Sequence, residues 1–94
     1  MEKFPPIDLL ESSHTFPGIY QIKAIGSVDD GFEARVIAAA RSETALDSDV
    51  EFTVRSTPGG RHIAITLEVR VETAEQVRRI YAKIHQEKGI AYLL

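Results

Sequence analysis

The 94-residue sequence contains no cysteine, no tryptophan and no asparagine. Without cysteine there is no disulfide framework, no thiol nucleophile and no thiolate-held metal, so apolar packing alone must hold the fold. An excess of positive charge is also missing: eleven Lys and Arg stand against fourteen Asp and Glu, for a formal net charge of −3. That sign argues against a surface built to grip a phosphate backbone. The longest apolar runs are a handful of residues, far below the ~20 that span a bilayer. Residues 1–6 have neither the cationic start nor the apolar stretch of a signal peptide. The expectation is a cytoplasmic, single-domain protein with no membrane or nucleic-acid partner.

What the chain does have is clean periodicity. Residues 1–16 read as an N-terminal arm, because Pro5 and Pro6 forbid a helix through themselves while Ile7, Leu9 and Leu10 offer something to bury. Phe16-Pro17-Gly18 breaks the chain, and residues 19–25 then alternate, with Tyr20, Ile22 and Ala24 opposed to Gln21 and Lys23. After Gly26, Asp29 or Asp30 is placed to cap a helix whose apolar stripe is Phe32, Val36, Ala39 and Ala40, ending near Glu43. Val50, Phe52 and Val54 alternate with Glu51, Thr53 and Arg55, the period of a half-buried strand. Thr57-Pro58-Gly59-Gly60 is a tight connection into the clearest alternation in the chain, Ile63, Ile65, Leu67, Val69 and Val71. Thr73 and Gln76 form a capping-box pattern ahead of the stripe Val77, Ile80, Tyr81 and Ile84. Gly89 is placed to close that helix, and residues 90–94 form a last strand.

The order β-α-β-β-α-β, with right-handed crossovers and both helical stripes buried on the sheet face that collects Tyr20, Phe52 and Ile65, predicts an α+β ferredoxin-like sandwich. Four antiparallel strands then lie under two helices, in one domain over residues 17–94. So small a core gains little net stability, so a homodimer through an edge strand or the open sheet face would help it.

This fold hosts many activities, so function must be read from sites. The loop from Gly26 to Phe32, with Arg35 beyond it, looks like the phosphate-cradling loop of acylphosphatases. Asp29 and Asp30 would repel an anion there, and no asparagine exists to orient an attacking water. Outward positions on the first three strands, Gln21, Lys23, Glu51, Thr53, Arg55, His62, Ala64, Thr66, Glu68 and Arg70, include no aromatic on which an RNA base could stack. Their mixed charges read as solvated cross-strand pairs. His14, His62 and His85 have no metal-ligand spacing, and Ser12, Ser13, His14 and Asp8 lie on an arm with no scaffold to orient a triad. His62 reads as a surface histidine able to hydrogen-bond in a shallow ligand site. Tyr81 reads as a core aromatic with its hydroxyl at the rim, and Arg78 and Arg79 as a solvated helix face. No catalytic residue, metal site or cofactor is expected.

Leu9-Leu10-Glu11, Phe16-Pro17, Lys23, Gly26, Ser56, Ile63-Ala64-Ile65-Thr66-Leu67, Glu75-Gln76-Val77 with Ile80-Tyr81, and Leu93-Leu94 occur in an order and spacing that resemble the YbeD-like family of small bacterial proteins of unknown function. The resemblance implies a fold like the regulatory ACT domain, a regulatory role and a link to lipoate metabolism. In ACT-like modules a small metabolite binds near the loop after the first strand, often at a subunit interface. The matching positions are Gly26, Ser27, Asp29 and Asp30, with Lys23 and His62 nearby. Paired aspartates favour an amine-bearing ligand over an anion. The expected function is a non-enzymatic, ligand-sensing regulatory module; the alternative is an adaptor that docks on a protein partner through an edge strand or the open sheet.

Overall fold

The computed structural model describes residues 4–94. Its strands are β1 (Gly18–Ser27), β2 (Val50–Ser56), β3 (His62–Val71) and β4 (Ile90–Leu93), and its helices α1 (Ile7–Ser13), α2 (Phe32–Arg41) and α3 (Ala74–His85). The sheet order is β2-β3-β1-β4 with every pairing antiparallel, so β2 and β4 are the edges. This is the expected α+β ferredoxin-like sandwich. Strict alternation on β1 and β3 sends Tyr20, Ile22, Ala24, Ile65, Leu67, Val69 and Val71 under the helices, where they meet Phe32, Val36 and Ala40 of α2 and Val77, Ile80 and Ile84 of α3.

Four features depart from the sequence reading. The arm holds a third helix, since Pro6 (φ −68°, ψ 157°) bars only the turn before it and a proline leads well into a helix. Leu10, 1% exposed, anchors α1, with Phe4 and Ile7 packed at the margin of the core. Met1, Glu2 and Lys3 of that arm lie outside the described residues. Neither Asp29 nor Asp30 caps α2: the N-cap is Gly31, and Asp30 and Gly31 both take left-handed backbone (φ 60° and 67°) to make the turn. Gly89 (φ 99°) does not close α3, which ends at His85 with Gln86 as its C-cap; it turns the chain into β4.

The fourth departure concerns β2. Val50 is buried, but Phe52 and Val54 remain 40% and 38% exposed although they share the helix-covered face. Ala34 and Ala38, on the flank of α2 nearest Phe52, are too small to cover it, and a groove of about 590 Å³ runs between them. The helices roof β1 and β3 fully and the β2 edge only in part, with the Arg41 guanidinium of α2 lying 5.9 Å over the Phe52 ring.

The start of α3 is more firmly tied than a simple capping box. Thr73 Oγ1 accepts the Gln76 N–H at 3.1 Å, Gln76 Oε1 accepts the Glu72 N–H at 2.7 Å, and Gln76 Nε2 donates to the Glu43 carbonyl at 2.9 Å beyond the end of α2. Thr73→Ala is expected to lower stability by about 1 kcal/mol, a Tm drop of roughly 4–8 °C in a chain this size. Thr73→Asp should keep the wild-type Tm in the same thermal melt, because its carboxylate can take over the cap.

Candidate functional site

The β1–α2 loop begins where β1 and β3 are still paired, with Ser27 directly opposite His62 and Gly26 opposite Ile63. Gly26 is required by close packing. A Cβ there would stand 2.3 Å from Phe32 Cζ and 2.5 Å from the Gly89 carbonyl oxygen. The Phe32 ring thus lies on the bare Gly26 backbone, holding the start of α2 against the strand end.

Polar contacts then fix the loop backbone. Ser27 Oγ accepts the Asp29 N–H at 3.1 Å, the Ser27 N–H donates to Gly89 O at 3.0 Å, and the Phe32 N–H donates to Asp29 O at 3.2 Å. Arg35 fastens the loop to the turn before β4. Its Nε donates to Asp30 O at 3.0 Å, and its Nη1 to Lys88 O at 3.0 Å and Glu87 Oε1 at 3.2 Å. A guanidinium suits this task because its fixed fork serves several acceptors at once. Arg35, noted in the sequence only beside an anion-binding reading, instead spends its donors on the protein itself. The side-chain carboxylates of Asp29 and Asp30 have no hydrogen-bond or ion-pair partner among the described residues.

The six predicted site residues are not one cluster. Gly26, Ser27, Asp29, Asp30 and His62 gather at one end of the sheet, whereas Lys23 stands opposite Thr66 and Leu94, four residues back from Ser27 and roughly 13 Å along the strand. On its helix-facing side Gly26 is packed against Phe32 and the Gly89 carbonyl, which leaves no space there for a side chain.

The open sheet face also differs from its sequence reading. Tyr92, 65% exposed, pairs with Ile25 and stands on that face, as does the exposed Ile19. Tyr92 belongs to β4, so the open face carries an aromatic side chain that the outward positions of the first three strands do not include. Nor do opposite charges face each other: Glu51 lies across from Glu68, Arg55 from Ala64, and Arg70 from Ile19. Beneath the sheet, Tyr81 is 4% exposed rather than at the rim, and its hydroxyl lies 3.2 Å from that of Tyr20. Burial, reinforced by Tyr20, pushes the Tyr81 phenol above its ordinary pKa of 10.0. Among the described residues, no group of three or more His, Asp or Glu converges as a metal site, and no helix is long and apolar enough to cross a membrane.

Known proteins agree with this architecture. The chain is similar to the UPF0250 protein of Neisseria meningitidis serogroup C, 28% identical over 84% of this chain and 87% of that one. A UPF0250 protein of Nitrosomonas europaea is 24% identical over 89% of this chain and 97% of its own length. Among solved structures, the ACT domain from the GTP pyrophosphokinase of Chlorobium tepidum matches with a TM-score of 0.60 at 14% identity, covering 81% of this chain and 94% of that one. That likeness is one of fold. The profile of the protein family of unknown function DUF493 matches residues 11–94, and the chain belongs to this family, the YbeD-like proteins.

Proposed function

We propose that the protein is a small regulatory module without catalytic activity that senses an amine-bearing metabolite at the β1–α2 loop. The observation that carries this reading is the loop's uneven satisfaction: Ser27, Phe32 and Arg35 fix its backbone, while the carboxylates of Asp29 and Asp30 are left without partners. Two adjacent carboxylates on a fixed loop attract a cation, and Ser27 and His62 offer hydrogen-bonding groups beside them. The ACT-domain likeness supports a regulatory role for such a loop. A connection to lipoate metabolism follows from the family resemblance as a regulatory link; lipoate itself is an acid and does not match the charge of Asp29 and Asp30. The other reading, an adaptor that docks through an edge strand or the open sheet, draws on the partly exposed Phe52 and Val54 of β2.

Thermal melts with millimolar amino acids, simple amines and lipoate test the sensing reading. A ligand at ten times its Kd adds about 1.4 kcal/mol, or roughly 6–11 °C of Tm in a chain this size. An amine-bearing compound should raise Tm, lipoate should not, and the Asp29→Asn/Asp30→Asn variant should lose the response while melting like wild type unliganded. If no compound moves the melt, or the shift survives in that variant, the proposal fails.

A further inference from the structure

The segment before α1 carries a ring that fills a place in the protein without being tied there by its backbone. Phe4 is half-buried, its ring stacked on the buried Tyr81 with centroids 5.5 Å and planes 15° apart, and edge-on to His85 at 5.6 Å. Pro5 and Pro6 have no N–H to donate. Among the described residues, the first backbone bond of this segment joins the Leu10 N–H to Pro6 O. Phe4 is therefore held by its ring alone, while Leu10 keeps α1 docked. On one side of the ring a hollow of about 360 Å³ is lined by Ile7 and Ala82, and on the other a hollow of about 310 Å³ is lined by His85, Ile90 and Leu93. Phe4 lines both, so its withdrawal would join them over the face of Tyr81.

We infer that this place is a binding site for an uncharged planar aromatic compound of the indole or phenol type, with Phe4 as the built-in occupant that the ligand displaces. Phe4 itself shows what the place accepts: a flat ring, face to Tyr81 and edge to His85. Charge narrows the class further. The hollow beside β4 is lined by no Lys, Arg, Asp or Glu, so a charged ligand would enter it without a strong counter-charge. His85 and the Tyr92 hydroxyl are its hydrogen-bonding side chains, and they suit a single N–H or O–H on the ligand. The other hollow mixes Glu75 with Arg78 and Arg79 and favours neither sign. Because Phe4 competes from within the chain, the apparent affinity is the intrinsic one reduced by the fraction of molecules in which that ring is withdrawn. Asp29 and Asp30 line neither hollow, so this site stands apart from the loop proposal.

Indole is the probe. Titrated into the wild-type chain and followed through backbone amide NMR signals, it should shift Ile7, Ala82, His85 and Ala91 and leave Asp29 and Asp30 in place. In Phe4→Ala the Kd should fall about tenfold or more, the change expected when a competitor that fills the site about nine-tenths of the time is removed. Phe4→Trp, in a chain with no tryptophan of its own, supplies the indole covalently. It should melt no lower than wild type and abolish the indole shifts, and these two results stand even where Phe4→Ala melts too low to titrate. Asp29→Asn/Asp30→Asn should bind indole as wild type does, which separates this site from the loop. Tryptamine and indole acetate, each adding one charge, should move the same four signals with a Kd about tenfold or more above that of indole. Wild-type signals that stay unmoved at millimolar indole overturn the inference, as does a Kd unchanged in Phe4→Ala. A lower melt or surviving shifts in Phe4→Trp overturn it too. Equal affinity for either charged compound overturns the uncharged class.

Discussion

Phe32→Ala is expected to lower stability by about 3–5 kcal/mol, the range for removing a fully buried phenyl ring, and thus to lower Tm by roughly 12 °C or more in a chain of this size. Phe32 is 1% exposed, and its ring fills the space above Gly26 and beside Gly89, so the cavity would open between β1, α2 and the turn into β4. The converse change, Gly26→Ala, should cost about 1–3 kcal/mol by overpacking. Removing the ring does not rescue it. A Cβ at Gly26 also meets the Gly89 carbonyl oxygen at 2.5 Å, a backbone atom that cannot swing aside. The double variant Gly26→Ala/Phe32→Ala should therefore be less stable than Phe32→Ala in urea denaturation. A double variant more stable than Phe32→Ala would mean that the ring alone forbids a side chain at residue 26.

Tyr81→Phe should cost about 1–3 kcal/mol, because it strips the Tyr20 hydroxyl of its buried partner without removing that hydroxyl. Tyr20→Phe should do the same to Tyr81. Deleting both hydroxyls removes the need for pairing, and Tyr20→Phe/Tyr81→Phe is expected within about 1 kcal/mol of wild type. Equal and additive losses in the cycle would show that the two hydroxyls act separately.

The alkaline limb carries a second signature of the same pair. In the unfolded chain the Tyr81 phenol ionises near its ordinary 10.0, while in the fold burial and Tyr20 hold it protonated above that. Below pH 10 both states keep the proton and the contribution is complete. As pH rises beyond that value the unfolded state releases a proton the folded state retains, and stability falls. The stability–pH curve of Tyr81→Phe should descend less steeply above pH 10, relative to its own value at neutral pH.

Local periodicity explains why most of the fold was legible. Alternation from Ile63 to Val71 and the stripe Val77, Ile80, Tyr81 and Ile84 each decide an element and a face from a few neighbouring residues, and both faces are buried as read. What escaped depends on distance or on cover. Helix α1 is only seven residues long and fastened by one buried leucine, too little for a period to register. Alternation orients Phe52 toward the helices but cannot reveal that the neighbouring helix flank carries Ala34 and Ala38. Asp29 and Asp30 have the composition of a cap, yet two successive left-handed residues hand that position to Gly31. The position of the β1–α2 loop was readable from Gly26 and the helical stripe after it, whereas the reach of Arg35 to Glu87 and Lys88 joins segments more than fifty positions apart. No local spacing encodes it.

That guanidinium makes the first crossover and the final turn a single mechanical part. If the loop tilts, Asp30, Glu87 and Lys88 must follow together or give up the contacts of one side chain. The closing strand is bonded in turn at both ends, by Gly89 O to the Ser27 amide and by Leu94 to the amide and carbonyl of Lys23. The loop that carries the aspartates and the strand that closes the sheet are therefore held by one set of contacts, from Asp30 through Arg35 and Gly89 to Lys23 and Leu94.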